Sequence, residues 1–250
     1  MSSMKPTVTS ANFDAVLFDL DGVLTATAKV HAACWKKTFD EYLKQRAGKT
    51  NEPFQPFDLD KDYTLYVDGK PRYEGVKSFL ESRDIHLPYG APSDPPDRET
   101  VCGLGNRKEE MVIATLKKQG VEVYESSVAW VRQLRQAGIK TAVVSSSKNC
   151  LAVLKAGGID GLFDVRVDGH IVEDQKLPGK PAPDTYLHAA ALLGAPPQRA
   201  VVVEDALSGV QAGHNGGFGL VIGVDRKGDA DALRENGADV VVTDLREMLQ

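Results

Sequence analysis

Short apolar runs recur along the chain at Phe13–Phe18, Lys140–Val144, Phe163–Val167, Ala200–Val203, Gly219–Val224 and Asp239–Val242. Val and Ile are frequent in them and polar alternation is mostly absent, as in strands buried on both faces of a parallel sheet. Between the later runs, helical patterns extend over Ser127–Ala137, Lys148–Ala156, Pro183–Leu193, Leu207–Asn215 and Ala230–Glu235. Gly138, Gly157, Gly194, Gly216 and Gly237 follow these segments, where glycine ends a helix by adopting left-handed backbone angles. Strand and helix in alternation predict an α/β fold built on a doubly wound parallel sheet.

The rhythm breaks between Ala26 and Gly120, where no buried-strand run occurs. An amphipathic helix is predicted over Ala28–Arg46, with Val30, Ala33, Trp35, Phe39, Tyr42 and Leu43 near helical spacing. A polar, Pro-containing segment follows, then helices near Tyr73–Ser82 and Asn106–Gln119. Asn106 and Glu109 stand in the positions of a capping box for the last of these. The Pro-rich stretch between those two helices reads as a loop. Residues 26–120 are therefore expected to form a mostly helical domain inserted after the first strand, with 9–25 and 121–250 forming the α/β domain.

Composition narrows the function classes. The 30 Lys and Arg against 35 Asp and Glu leave a net charge of -5, which offers no general attraction to nucleic acid or an anionic membrane. A phosphate ester would have to be held by a few cations gathered locally. No apolar run approaches the ~18 residues of a membrane span. The N-terminal MSSMKPTVTS has one lysine and no apolar stretch, so no signal peptide is expected. Cys34, Cys102 and Cys150 are odd in number and widely scattered, which reads as free thiols in a reducing cytoplasm. A soluble, cytoplasmic monomer is the expectation.

In a doubly wound sheet a ligand binds beyond the carboxyl ends of the strands, so the residues following each strand carry the chemistry. Asp19 and Asp21 follow the first strand, Ser145, Ser146, Ser147, Lys148 and Asn149 the Lys140–Val144 run, and Glu204 and Asp205 the Ala200–Val203 run. Lys180 precedes the Pro183 helix in a Pro-flanked segment. These types suit phosphoryl transfer. An ordinary Asp, with a pKa near ~3.9, is ionised at neutral pH, so Asp19 needs no base to act as a nucleophile. Carboxylate oxygens of Asp19, Glu204 and Asp205 suit a magnesium ion, which with Lys180 would relieve repulsion from an anionic phosphate. Ser145 and the amides beyond it suit non-bridging phosphoryl oxygens at a helix N-terminus. Asp21, two residues from Asp19, faces the same way in extended geometry and suits general acid/base work.

Four segments, Asp19-Leu20-Asp21-Gly22-Val23-Leu24, Ser145-Ser146-Ser147, Gly179-Lys180-Pro181-Ala182-Pro183-Asp184 and Val203-Glu204-Asp205-Ala206, resemble in order the four motifs of the haloacid dehalogenase superfamily. The resemblance implies a Rossmann-like core, the first Asp as nucleophile, the second as acid/base, and a magnesium cofactor. It implies metal ligation by Asp19, the backbone carbonyl of Asp21, Glu204 and Asp205, and makes the insert a helical cap that closes over the active site. A closer resemblance is to the β-phosphoglucomutase-like subfamily. Thr25 to Trp35 matches its cap-entry segment, with Thr27 and His31 as candidate substrate-binding residues, and Ser145–Asn149 matches its serine-lysine-asparagine loop. Gly69-Lys70-Pro71-Arg72 resembles the segment in which an arginine binds the distal phosphate. Asp68 departs from the pattern, standing where that segment often has lysine, and the stretch from Gln45 to Asp68 is longer than the compact form.

The implied activity is interconversion of hexose 1-phosphate and 6-phosphate through an aspartyl-phosphate. The alternatives are a hydrolase acting on a small phosphorylated sugar or metabolite, and a non-catalytic phosphate-binding protein. His31 also reads as an interfacial cap histidine, Arg72 as a surface arginine, and Trp35 as helix packing. Gly103-Leu104-Gly105 follows a loop rather than a strand and fails as a dinucleotide motif. His86, His170, His188 and His214 lack metal-ligand spacing and read as structural.

Overall fold

The structure is a computed structural model that describes residues 6–249. Met1–Lys5, half of the segment read above for a signal peptide, and Gln250 lie outside the described residues. The chain begins with β1 (Ala15–Phe18), followed by α1 (Ala28–Thr50), α2 (Arg72–Ser82) and α3 (Val101–Gln119). Then come α4 (Glu125–Gln136), β2 (Lys140–Val144), α5 (Cys150–Ala156), β3 (Val165–Val167), α6 (Gly169–Asp174) and α7 (Asp184–Leu193). The chain closes with β4 (Ala200–Glu204), α8 (Leu207–Asn215), β5 (Leu220–Val224), α9 (Ala230–Glu235) and β6 (Val240–Val242). It divides into two compact units, Met1–Ala26 with Val121–Gln250, and Thr27–Gly120.

In the first unit the strands form a parallel sheet of order β3-β2-β1-β4-β5-β6. Every residue of β1 is fully buried, which explains its unbroken apolar run. Phe18 is level with Val143 of β2 on one side and Val203 of β4 on the other. The chain builds outwards from β1 through β2 to β3, then returns to build outwards through β4, β5 and β6. The order thus reverses between β1 and β4, and the crevice beyond their carboxyl ends is where such a sheet binds ligands. Cys34, Cys102 and Cys150 are buried free thiols. Among the described residues no helix is long and apolar enough to cross a membrane.

The second unit is helical. Trp35, Phe39, Tyr42 and Leu43 line one side of α1 and pack with Phe57, Val76, Phe79, Leu80 and Leu104. The Phe39 ring lies 5.1 Å from Trp35, 5.0 Å from Phe57 and 4.2 Å from Phe79. Trp35 is therefore packing.

Several elements differ from expectation. The predicted capping box of Asn106 and Glu109 does not form, because α3 starts at Val101, where Thr100 accepts the Gly103 N–H at 2.9 Å. Asn106 lies inside the helix, its amide donating to the Pro92 and Asp94 carbonyls. Gly103 is thereby in the first helical turn, where a Cβ would overlap the Arg98 carbonyl. A π-helical turn, Tyr63–Val67, occupies part of the segment read as polar and Pro-containing. The short α6 was not predicted; Asp168 caps it by accepting from His170 and Ile171. After α5 and α8 the left-handed residue is the second glycine, Gly158 and Gly217, rather than the first.

Candidate active site

The sheet's register assembles the site. The Asp19 N–H donates to the Val203 carbonyl at 2.9 Å, extending the β1–β4 ladder one step and setting Asp19 beside Glu204, the last residue of β4. The chain then bends at Leu20, and Gly22, at φ +90°, turns it back. The turn closes through Gly22 N–H to Thr25 O at 2.7 Å and Thr25 N–H to Leu20 O at 3.0 Å. A Cβ on Gly22 would overlap the Asp205 carboxylate, so close approach as well as backbone angle calls for glycine here. Asp21 lies in this turn, bridged to Thr25. Asp21 acts electrostatically on Asp19.

Lys180 reaches this point from the loop before α7. Its ammonium is 1% exposed and lies 2.6 Å from Asp19 Oδ1 and 2.5 Å from Glu204 Oε1. It also donates to the Val144 carbonyl at 3.4 Å. One ammonium thus serves two carboxylates that have almost no contact with water. Burial raises the Asp19 pKa well above the ordinary value; Lys180 opposes this, while Glu204 and Asp21 add to it. Asp19 therefore relies on nearby cations rather than on solvent to hold its charge. For Lys180 burial acts downwards, but Asp19 and Glu204 outweigh it and hold the amine protonated.

Asp19, Glu204 and Asp205 each offer a carboxylate oxygen, and these atoms all lie within 4.8 Å of one another. The donors are hard oxygens only, which suits Mg²⁺, Ca²⁺ or Mn²⁺ rather than a softer metal. Three carboxylates facing one ammonium leave surplus negative charge in a poorly solvated place, so the arrangement fits a divalent cation. The Asp21 side chain is not part of this group, and among the described residues no histidine belongs to such a group.

Ser145 continues from β2, its N–H donating to the Val167 carbonyl at 2.9 Å. Ser145 Oγ accepts from Ser147 N–H and Ser147 Oγ from Asn149 N–H, each at 3.1 Å, so the loop is a pair of linked serine turns. The helix expected from Lys148 opens two residues later, at Cys150, and the Asn149 side chain does not cap it. The serine turns postpone the helix. Ser146 lies within this loop, and the Lys148 ammonium pairs with Glu173 at 2.5 Å.

The remaining predicted residues belong to the second unit. Thr27 is buried at the start of α1, its carbonyl accepting from His31 N–H at 3.0 Å. His31 Nδ1 lies 2.7 Å from Lys108 Nζ, and that ammonium sits over the Trp35 ring at 4.9 Å. Arg72 pairs with Glu109 at 3.2 Å and stacks on Tyr73 at 4.9 Å.

Sequence reasoning missed two buried polar residues. Lys108 occupies the apolar stripe of α3 with Leu104 and Val112, and a charge at such a position was a readable signal. Tyr186 donates its hydroxyl to Glu204 Oε1 at 2.7 Å, and its only signal was a phenol in an otherwise mostly aliphatic helix.

An aspartate carried past the central strand, a lysine bridging it to a second acid, and a further acid at the sheet's switch point together mark a class of phosphoryl-transfer enzymes. Residues 13–217 match the model of haloacid dehalogenase-like hydrolases, and the chain belongs to that family. It is 52% identical to the β-phosphoglucomutase of Mycobacterium bovis over 238 residues, 94% of this chain and 91% of that protein. The phosphorylated carbohydrates phosphatase of Thermotoga maritima is 28% identical over 92% of this chain and 94% of that protein. The solved structure of β-phosphoglucomutase from Clostridium difficile shares the fold at a TM-score of 0.74 and 23% identity, covering 95% and 93% of the two chains.

Proposed function

We propose that this chain is a magnesium-dependent β-phosphoglucomutase-like enzyme that interconverts a hexose 1-phosphate and 6-phosphate through a phosphorylated Asp19. The observation carrying this reading is the Asp19 carboxylate, held by Lys180 beside Glu204 and Asp205 at the switch point of the sheet. The 52% identity to an enzyme of that name, across nearly all of both chains, favours the mutase over other activities in the family.

In this reading phosphorylated Asp19 gives its phosphoryl group to the free hydroxyl of the sugar monophosphate. The sugar oxygen forms a bond to phosphorus, the Asp19–phosphorus bond breaks, and Asp21 takes the hydroxyl proton. The bisphosphate then presents its other phosphate to Asp19. The carboxylate attacks phosphorus, the sugar P–O bond breaks, and Asp21 returns its proton to the leaving oxygen. Asp19, Glu204, Asp205 and the Asp21 carbonyl would hold magnesium, which when bound offsets negative charge on the phosphoryl group. Lys180 keeps Asp19 oriented and its charge compensated. Ser145 and the Ser146 amide bind phosphoryl oxygens, with Ser147, Lys148 and Asn149 next in the loop. Arg72 binds the phosphate not being transferred, its planar fork suiting that group, and Thr27 and His31 contact substrate. We place this activity in the cytoplasm, where the three free cysteines fit a reducing medium.

Hydrolysis is the second reading, favoured by the similarity to a phosphorylated carbohydrates phosphatase. The two share every residue of the first unit and differ in whether water or a sugar hydroxyl accepts the phosphoryl group. Purified protein is given magnesium, β-glucose 1-phosphate and a trace of glucose 1,6-bisphosphate, and glucose 6-phosphate and inorganic phosphate are followed together. Rapid 6-phosphate formation with little free phosphate supports the mutase. Phosphate release without isomerisation refutes it in favour of a phosphatase.

A further inference from the structure

Tyr186 has no part in the chemistry just described, yet it sits behind it. The residue is fully buried in the first unit's core among Leu17, Val144, Ala189 and Val202, with its ring edge-on to Phe218. Phenylalanine would fill that space, and a buried hydroxyl costs free energy unless it finds an acceptor. The acceptor here is Glu204 Oε1, 2.7 Å away, the same oxygen that Lys180 reaches at 2.5 Å. Glu204 Oε2 accepts the N–H groups of Asp205 and Ala206, each at 3.2 Å. The face of the Tyr186 ring also lies 5.0 Å from the Lys180 ammonium. A Cβ on Gly209 would overlap the Glu204 carboxylate, so α8 closes the remaining side. Glu204 is consequently clamped from several directions by groups that bear no part of the substrate.

We propose that Tyr186 is a positioning residue for the cation site: its hydroxyl fixes the Glu204 carboxylate and, through it, Lys180, and so sets the affinity for a divalent cation. The proposal rests on the reading of Asp19, Glu204 and Asp205 as the magnesium site. Without the hydroxyl, Glu204 Oε1 keeps only Lys180 as a donor and can follow it. The carboxylate then loses the fixed orientation that a cation needs, whereas the ring packing is unchanged. Groups that orient metal ligands from behind in this way typically govern affinity by about 10–100-fold.

The test is Tyr186→Phe, which removes one oxygen and retains the ring. Magnesium binding to the substrate-free protein is measured by calorimetry, and manganese binding by electron paramagnetic resonance as an independent readout. Both affinities are expected to fall about tenfold. At limiting magnesium turnover drops; at saturating magnesium it recovers, with KM for the sugar phosphate unchanged. Affinities within twofold of the wild type for both ions would overturn the proposal, as would a KM effect that saturating magnesium does not remove. If the wild-type protein itself binds neither ion, the magnesium reading fails, and that outcome is distinguishable because it appears before any variant is made.

Discussion

Replacing Lys180 by methionine preserves most of the side chain's volume and removes its charge together with its hydrogen-bond donors. That charge is 1% exposed and faces Asp19 at 2.6 Å and Glu204 at 2.5 Å. Asp19 is 7% exposed and Glu204 fully buried, so neither can turn to water when the ammonium is gone. Deleting one member of a buried ion pair costs about 3–5 kcal/mol, because the partner is left uncompensated. Here two partners are left, which puts the expected loss at the upper end of that range. With an m-value of about 2 kcal/mol/M, the urea midpoint of the first unit falls by roughly 2 M. Magnesium provides an internal control. A ligand that binds only the native state stabilises it by about 2.7 kcal/mol at a hundredfold excess over its dissociation constant. Since the variant site carries one more net negative charge, millimolar magnesium should raise its midpoint more than that of the wild type. The assay is urea unfolding followed by far-ultraviolet circular dichroism at pH 7, with and without magnesium. A loss below about 1 kcal/mol, comparable to an exposed pair, would refute the view that the triad is buried and charged. An equal magnesium increment in both proteins would refute the view that the surplus charge is what draws the cation.

Other outcomes follow from the same structure. Asp19→Asn should abolish turnover, and Asp21→Asn should lower it by at least about a hundredfold, the usual contribution of a positioned acid/base; both are read by the coupled glucose 6-phosphate assay. Gly22→Ala places a side chain at φ +90° and against Asp205, so it should cost about 1–2 kcal/mol in denaturation and weaken magnesium binding in calorimetry. Phe39→Ala, at the centre of the second unit's aromatic cluster, should cost about 3–5 kcal/mol of stability in urea unfolding. Asp94 accepts hydrogen bonds from Thr100 and Arg98, which hold its pKa below the ordinary value. A carboxylate lowered on folding stabilises above its unfolded pKa of about 3.9, and that stability is lost as pH falls through the lower folded value. Asp94→Asn should therefore reduce the thermal midpoint at pH 7, and the two proteins should converge near about pH 2. A constant difference across that range would contradict the assignment.

The sequence alone determined whatever depends on residues close together in the chain. The buried strands were legible because a strand covered on both faces leaves no polar alternation, and β2 was read with its observed bounds. Asp19, Ser145, Glu204 and Asp205 were readable as site candidates because the carboxyl end of a strand can be located from the strand itself. The start of α3 was misread by five residues because Thr100 and Asn106 both suit a helix N-terminus; the Asp94–Thr100 and Arg98 contacts that select Thr100 arise only in the folded loop.

Only the tertiary structure decided how the candidates meet. Lys180 is 161 residues from Asp19, and its ammonium reaches that carboxylate only once the chain has folded. Tyr186 acquires a role from an acceptor on another element, and Lys108 from a histidine 77 residues away. Asp19 shows the division within one residue. Its identity and its place after β1 were readable from local pattern, whereas its raised pKa comes from burial and from Glu204 and Asp21, with Lys180 opposing them. Secondary structure follows short-range periodicity, while ionisation and ligand geometry follow solvent exclusion and long-range pairing, which exist only once the chain has folded.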